Sequence, residues 1–303
     1  MNRTIVGNKF LNMLLLAVAL LLTITVAHSL SGADFGGADV PLRYLGALAA
    51  IGAMGIVAYL TRASSAWSAS MRELTNGAAG AMFYAVFLWL FSGALFAAPA
   101  VGDLGLRPAL VFPILFGYLF GPVTGFVAGG FGSVFGNLLA GLPISPEWEM
   151  AGASAGFVAG LRLVFPDRPR TLDIATVIVA AIGLLAAVVY LANPALTNQF
   201  AGAPMTPWLG YSVPVGVILC LAIRYGFADQ EWSKAVIWGA LGSLAGLGLA
   251  AVSDLWVDAG RLGAAGASAG RFIPAAGPNL IAVIVLLPIL WVAYVALQAN
   301  RAA

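Results

Sequence analysis

Nine residues hold the side chains best suited to grip a small polar solute: Arg107, Asn137, Glu147, Trp148, Glu149, Asp254, Trp256, Arg271 and Asn279. Arginine offers a planar fork for carboxylate or phosphate. Tryptophan offers a flat face for a ring. The carboxylates and amides add donors and acceptors. In sequence these residues come in four clusters. Arg107 opens one apolar run and Asn137 closes the next. "PEWEM" carries Glu147, Trp148 and Glu149, "SDLWVD" carries Asp254, Trp256 and Asp258, and Arg271 precedes "PAAGPNL" with Asn279. Convergence of all four would make a pocket mouth. The plainer alternative is a membrane interface, with tryptophans in the aromatic belt and carboxylates facing water.

Other chemistry is missing. The chain has no G-x-x-x-x-G-K-[ST] loop, no C-x-x-C and no H-E-x-x-H. It therefore carries no P-loop ATPase and no such metal site of its own. Its one histidine, His28, is either a ligand to a pigment or haem iron or, as is commoner for a lone histidine, an interfacial polar residue. No Ser/His/Asp set accompanies the carboxylates, so the chain is expected not to be an enzyme, and no cofactor is expected. Cys220 is the only cysteine and excludes an internal disulfide.

The elements that must position these residues are apolar helices. Of 303 residues, 61% are hydrophobic and 9% charged, well below the quarter or so typical of soluble domains. The net charge of +2 gives no reason to expect nucleic acid as a partner. The expected class is all-α: a polytopic protein of the lipid bilayer with about ten transmembrane helices, near 10–30, 44–61, 77–98, 107–121, 122–142, 150–164, 172–192, 207–225, 232–253 and 278–298. The first run has an alternative reading as a signal peptide, but it exceeds the usual h-region of about 7–15 residues. Ten crossings place both termini on one side. With that side inside, Arg3, Lys9, Arg62, Arg72, Arg162, Arg168, Arg170, Arg224, Lys234 and Arg301 lie inside, and only Arg43, Arg107, Arg261 and Arg271 lie outside. The positive-inside rule then predicts cytoplasmic termini in a cell (inner) membrane. All four clusters fall on the outer side.

The polar segment 62–76 separates an N-terminal hairpin with its cytoplasmic linker (1–76) from a membrane domain (77–303). Residues 193–206 and 254–277 are expected as long outer loops. Within 105–141, Pro108 starts a helix, Pro113 is expected to kink it, and Gly121-Pro122 reverses the chain. Gly125, Gly129, Gly132 and Gly136 recur on one helix and should admit a close neighbour. Ala81 and Ala85 form a further small-xxx-small pair.

"LRPALVFPILFGYLFGPVTGFVAGGFGSVFGNLLAG", followed by "WEMAGASAGFVAGL", resembles the substrate-binding S component of energy-coupling-factor (ECF) vitamin transporters. Trp148, Glu149, Gly152, Gly156 and Gly160 fit that family's Gly-spaced segment, and "FIPAAGPNLIAVIVLLPIL" is similar to its last helix. The resemblance covers about 77–164 and 232–298. It implies a six-helix core with an outward-facing vitamin site, coupled through an integral T component to cytosolic ATPase subunits. It also implies that Ala81 and Ala85 contact the T component. The expected function is therefore uptake of a small polar or aromatic solute. Four helices exceed the family core: the first two, and an insertion at about 172–225. Asn137 stands where many relatives have an acid. The alternative is a structural or assembly subunit of a larger membrane complex.

Overall fold

The computed structural model describes residues 9–32, 39–94, 106–165, 168–257 and 264–302. It is almost wholly helical. Ten helices of ten residues or more occur among the described residues: α1 Lys9–Ser31, α2 Val40–Leu60, α3 Met71–Trp89, α4 Val111–Phe120, α5 Pro122–Leu139, α6 Pro146–Gly160, α7 Arg168–Ala192, α8 Ser212–Gly226, α9 Glu231–Val252 and α10 Ala264–Ala302. A two-stranded antiparallel ribbon, Thr197–Asn198 with Ala203–Pro204, links α7 to α8. Among the described residues, seven segments are long and apolar enough to cross a membrane, built on α1, α2, α3, α5, α7, α9 and α10. The chain is therefore an all-α polytopic membrane protein by length and composition.

The short helix α6 is the axis of the bundle. It is buried on nearly every face, against α2, α4, α5 and α9. Its glycines make this possible. A Cβ at Gly129 would lie 1.9 Å from the Gly152 carbonyl oxygen, and one at Gly125 would lie 2.1 Å from that of Gly156. Backbone therefore packs on backbone where α5 meets α6. The other pair on α5, Gly132 and Gly136, faces α3 in the same way. There the nearest atoms to an added Cβ include the Ala81 carbonyl oxygen and the Ala85 Cα.

Gly121 adopts φ +105°, a conformation that favours glycine, and Pro122 begins α5 directly after it. The expected reversal is thus present. The expected kink at Pro113 is not. A 3₁₀ turn at Pro108–Leu110 precedes α4, which leaves Pro113 in the first turn of α4, where a missing N–H costs little. The prolines enclosed by a helix are Pro274, Pro278 and Pro288 of α10.

Several other boundaries differ from expectation. Helix α3 starts at Met71, six residues before the sequence estimate and inside the expected linker, where Ser70 and Glu73 form a capping box. Helix α6 starts at Pro146, four residues before the sequence estimate, because Ser145-Pro146 supplies a helix start. Helix α10 starts at Ala264, so much of the expected 254–277 loop is helical. Ile273, Ala275 and Ala276 are buried there. Residues 258–263, including Asp258 and Arg261, lie outside the described residues.

The N-terminal hairpin packs on the rest of the chain. Leu20 and Ile24 of α1 and Ala47 of α2 are wholly buried and share one apolar core with Phe126, Val134, Met150 and Phe157. Helices α7 and α8 pack on the opposite flank, against α9 and α10. Leu184, Leu185, Val188 and Leu191 of α7 are exposed, a surface suited to lipid.

Candidate functional site

The first turn of α6 sorts two carboxylates to opposite sides. Successive residues turn by about 100°, so Glu147 and Glu149 point about 200° apart. Both sit where the positive end of the helix dipole favours a carboxylate.

Glu147 faces α2. It forms an ion pair with the Arg43 guanidinium, whose side chain is 11% exposed while that of Glu147 is 0% exposed. Gly46, one turn along α2 from Arg43, permits the approach, because a Cβ there would lie 3.0 Å from Glu147 Cβ. Arg271 of α10 is near enough to Glu147 to interact electrostatically. Trp256, in the short helical turn Asp254–Val257, donates its indole N–H to the Leu42 carbonyl at 3.0 Å. Arg43 and Trp256 thus fasten α2 to the end of the bundle that carries the first turn of α6.

Glu149 faces α5. Asn137 Nδ2 donates to Glu149 Oε1 at 2.7 Å. Ser133, one turn before Asn137 on the same face of α5, lies beside Glu149 and Tyr84. Arg107 is close enough to both Glu149 and Tyr84 to interact electrostatically. Among the described side chains on this side of α6, three buried atoms have no protein partner: Glu149 Oε2, Asn137 Oδ1 and Ser133 Oγ. Glu149, Asn137 and Ser133 are each 0 or 1% exposed. An unpartnered buried polar atom costs about 1–3 kcal/mol. Three fall together here, and Glu147 Oε2 on the other side of α6 is likewise without a partner.

Asn279 and Trp148 have other positions. The Arg107 backbone N–H donates to Asn279 Oδ1 at 2.8 Å, and Asn279 Nδ2 donates to the Ala275 carbonyl at 2.8 Å. Asn279 is a clasp between α10 and the start of the Pro108 turn, with both halves of its amide engaged. Trp148 is half-buried and meets Phe200 edge-on, ring centroids 5.8 Å apart. His28 Nδ1 lies 2.9 Å from the Ile144 carbonyl, at the same end of the bundle.

The structure therefore brings Arg107, Asn137 and Glu149 together, and it adds Tyr84 and Ser133. Glu147 and Arg271 fall on the other side of α6, where Arg43 joins them. Trp256 and Asn279 act as fasteners. The side chain of Asp254 lies outside the described ones. Ala81 and Ala85, expected to contact a partner, are buried, 6% and 5% exposed, against Gly132 and Gly136 of their own chain. The exposed large apolar residues of α3 are Met71, Met82, Phe83, Val86 and Trp89.

Sequence reasoning passed over Arg43, Tyr84 and Ser133. Ser133 carried a signal, standing four residues before Asn137 and so on the same helical face. Among the described residues, no group of three or more His, Cys, Asp or Glu side chains could hold a metal ion. An apolar cleft of about 410 Å³ lies away from these residues, between α1 and α2, lined by Met13, Ala17, Ile51, Met54 and Phe126 among others. Its lining is almost wholly apolar, with Tyr59 the polar side chain among the residues that line it.

The chain matches no family model, no curated protein and no solved structure.

Proposed function

We propose that this protein is a membrane-embedded solute-binding subunit, the substrate-specific component of an ECF-type ABC transporter. It takes up a small polar or aromatic solute such as a vitamin or cofactor precursor. One observation carries the reading: Glu149 is wholly buried near the Arg107 guanidinium, with one carboxylate oxygen and two neighbouring polar atoms unpartnered. A bundle built only for packing gains nothing from that arrangement. In this reading Arg107, Asn137, Glu149, Ser133 and Tyr84 contact the solute, and Trp148 lines its way in. The solute enters from outside, the termini are cytoplasmic in the cell (inner) membrane, and a T component with cytosolic ATPase subunits drives release inside.

Purification from native membranes tests this. ATPase subunits and a small solute should come with the chain, and Arg107→Ala should weaken solute binding. An Arg107→Ala chain that binds the co-purified solute as tightly as wild type would remove Arg107 from the site.

A second reading is favoured by a different observation. Helix α2 is fastened to the other side of α6 through Arg43–Glu147 and Trp256–Leu42. Such bonding suits a rigid structural or assembly subunit of a larger membrane complex. Pigment or redox subunits in the same purification, without ATPase subunits, would select it.

A further inference from the structure

The Glu149 cluster limits what kind of solute it can hold; the following rests on the solute-binding reading above. The unpartnered atoms are mostly acceptors. Glu149 Oε2 and Asn137 Oδ1 only accept, while Ser133 Oγ can accept or donate. The orientation of the Asn137 amide follows from its neighbour, because Nδ2 faces a carboxylate oxygen at 2.7 Å where the amide oxygen would be repelled. A ligand that meets these three atoms must therefore supply hydrogen-bond donors, while the Tyr84 hydroxyl and the Arg107 guanidinium beside them can donate to it in turn. Charge narrows the class further. The Arg107 guanidinium is near enough to the Glu149 carboxylate to interact with it electrostatically, and the two charges are opposite. A cationic ligand would leave net positive charge in a buried place. An anionic one would set a second negative charge against Glu149 with a single arginine to offset both. Burying an uncompensated charge is costly, whereas a neutral donor meets every unpartnered atom without one.

We propose that this site takes a neutral solute through N–H donors of an amide or urea type, received by Glu149, Asn137 and Ser133.

The test is thermal unfolding of the full chain in detergent with four small probes: 2-imidazolidinone, its N,N′-dimethyl derivative, methylammonium and acetate. The first should stabilise the protein saturably, because it is neutral and carries two N–H groups. The dimethyl ring, identical but without donors, should not. Glu149→Gln should weaken the effect about ten- to hundredfold, as expected for a hydrogen bond to a charged acceptor. Ser133→Ala should weaken it about three- to tenfold, and it serves if Glu149→Gln does not fold. The exposed Glu231→Gln should change nothing. Equal stabilisation by the dimethyl ring overturns the donor requirement. Stronger stabilisation by methylammonium or acetate, lost on the same substitutions, overturns the neutral class but leaves solute binding standing. No stabilisation by any probe, with a solute still co-purifying, overturns this inference alone. No stabilisation and no co-purifying solute overturns both it and the function on which it rests.

Discussion

Glu147 and Glu149 stand two residues apart in one helical turn, and both are 1% exposed. Their surroundings differ. Glu147 meets a cation from α2 in an ion pair. Glu149 meets an amide from α5 instead, and each of the two carboxylates keeps one buried oxygen, Oε2, without a hydrogen-bond partner. Arg107 lies near enough to Glu149 to interact electrostatically. Neither burial nor one unpartnered oxygen labels a carboxylate as functional, since the two residues share both features. A buried charge with its counter-charge in contact is part of the architecture. A buried carboxylate bonded by an amide and not by a contacting cation is the one we propose receives a ligand.

Breaking the Glu147 side should have the largest effect on stability. Arg43→Met leaves Glu147 buried without its ion-pair partner and should cost about 3–5 kcal/mol. Adding Glu147→Leu to that variant should return most of the loss, since a well-packed apolar pair is often as stable as a buried ion pair. Denaturation of purified protein in detergent measures both. A double variant as unstable as Arg43→Met alone would remove the pair from its structural role.

Next comes the packing on which the Glu149 side depends. Gly129→Ala drives a methyl group into the Gly152 carbonyl and must push α5 from α6. A loss of about 1–3 kcal/mol or more is expected, with weaker solute binding because Asn137 and Glu149 move apart. Gly52→Ala on α2 is the matched control. A Cβ there meets nothing within 4 Å, and alanine favours the helix by up to about 1 kcal/mol, so no loss of stability is expected.

Asn137→Ala should then cost about 1–3 kcal/mol by removing the donor to Glu149. The smallest effect belongs to the far end of the bundle. Glu231→Gln removes an ion pair with Lys234 in which both side chains are substantially exposed. The change should stay within about 0.5 kcal/mol. A larger effect there than at Asn137 would invert the comparison.

Much of the frame was legible in the residues. The apolar runs fall on helices, seven of them long and apolar enough to cross a membrane among the described residues, and Gly121-Pro122 turns where its chemistry demands it. The glycines at 125, 129, 132 and 136 take the close contacts their spacing implied. The site was half legible. Polar residues at helix ends pointed to one end of the bundle, and Arg107, Asn137 and Glu149 do meet there. Which of two neighbouring carboxylates had a counter-ion was not legible. Arg43 is 104 positions from Glu147 in the chain, and only tertiary packing pairs them. The same limit explains Ala81 and Ala85. Small residues announce a close contact without saying whether the neighbour belongs to the same chain. The start of α6 was misplaced for a different reason. Hydropathy marks where apolar residues begin, whereas Ser145-Pro146 starts the helix ahead of them and so draws both carboxylates into its first turn.

The central claim is that the Glu149 side of α6 holds a small solute. Native mass spectrometry of the full chain, gently released from detergent, tests it most directly. Wild type should carry a bound small molecule of discrete mass. Glu149→Gln should lose it, and Arg43→Met with Glu147→Leu should keep it. Bare chain in all three, or an adduct that survives Glu149→Gln unchanged, would contradict the claim.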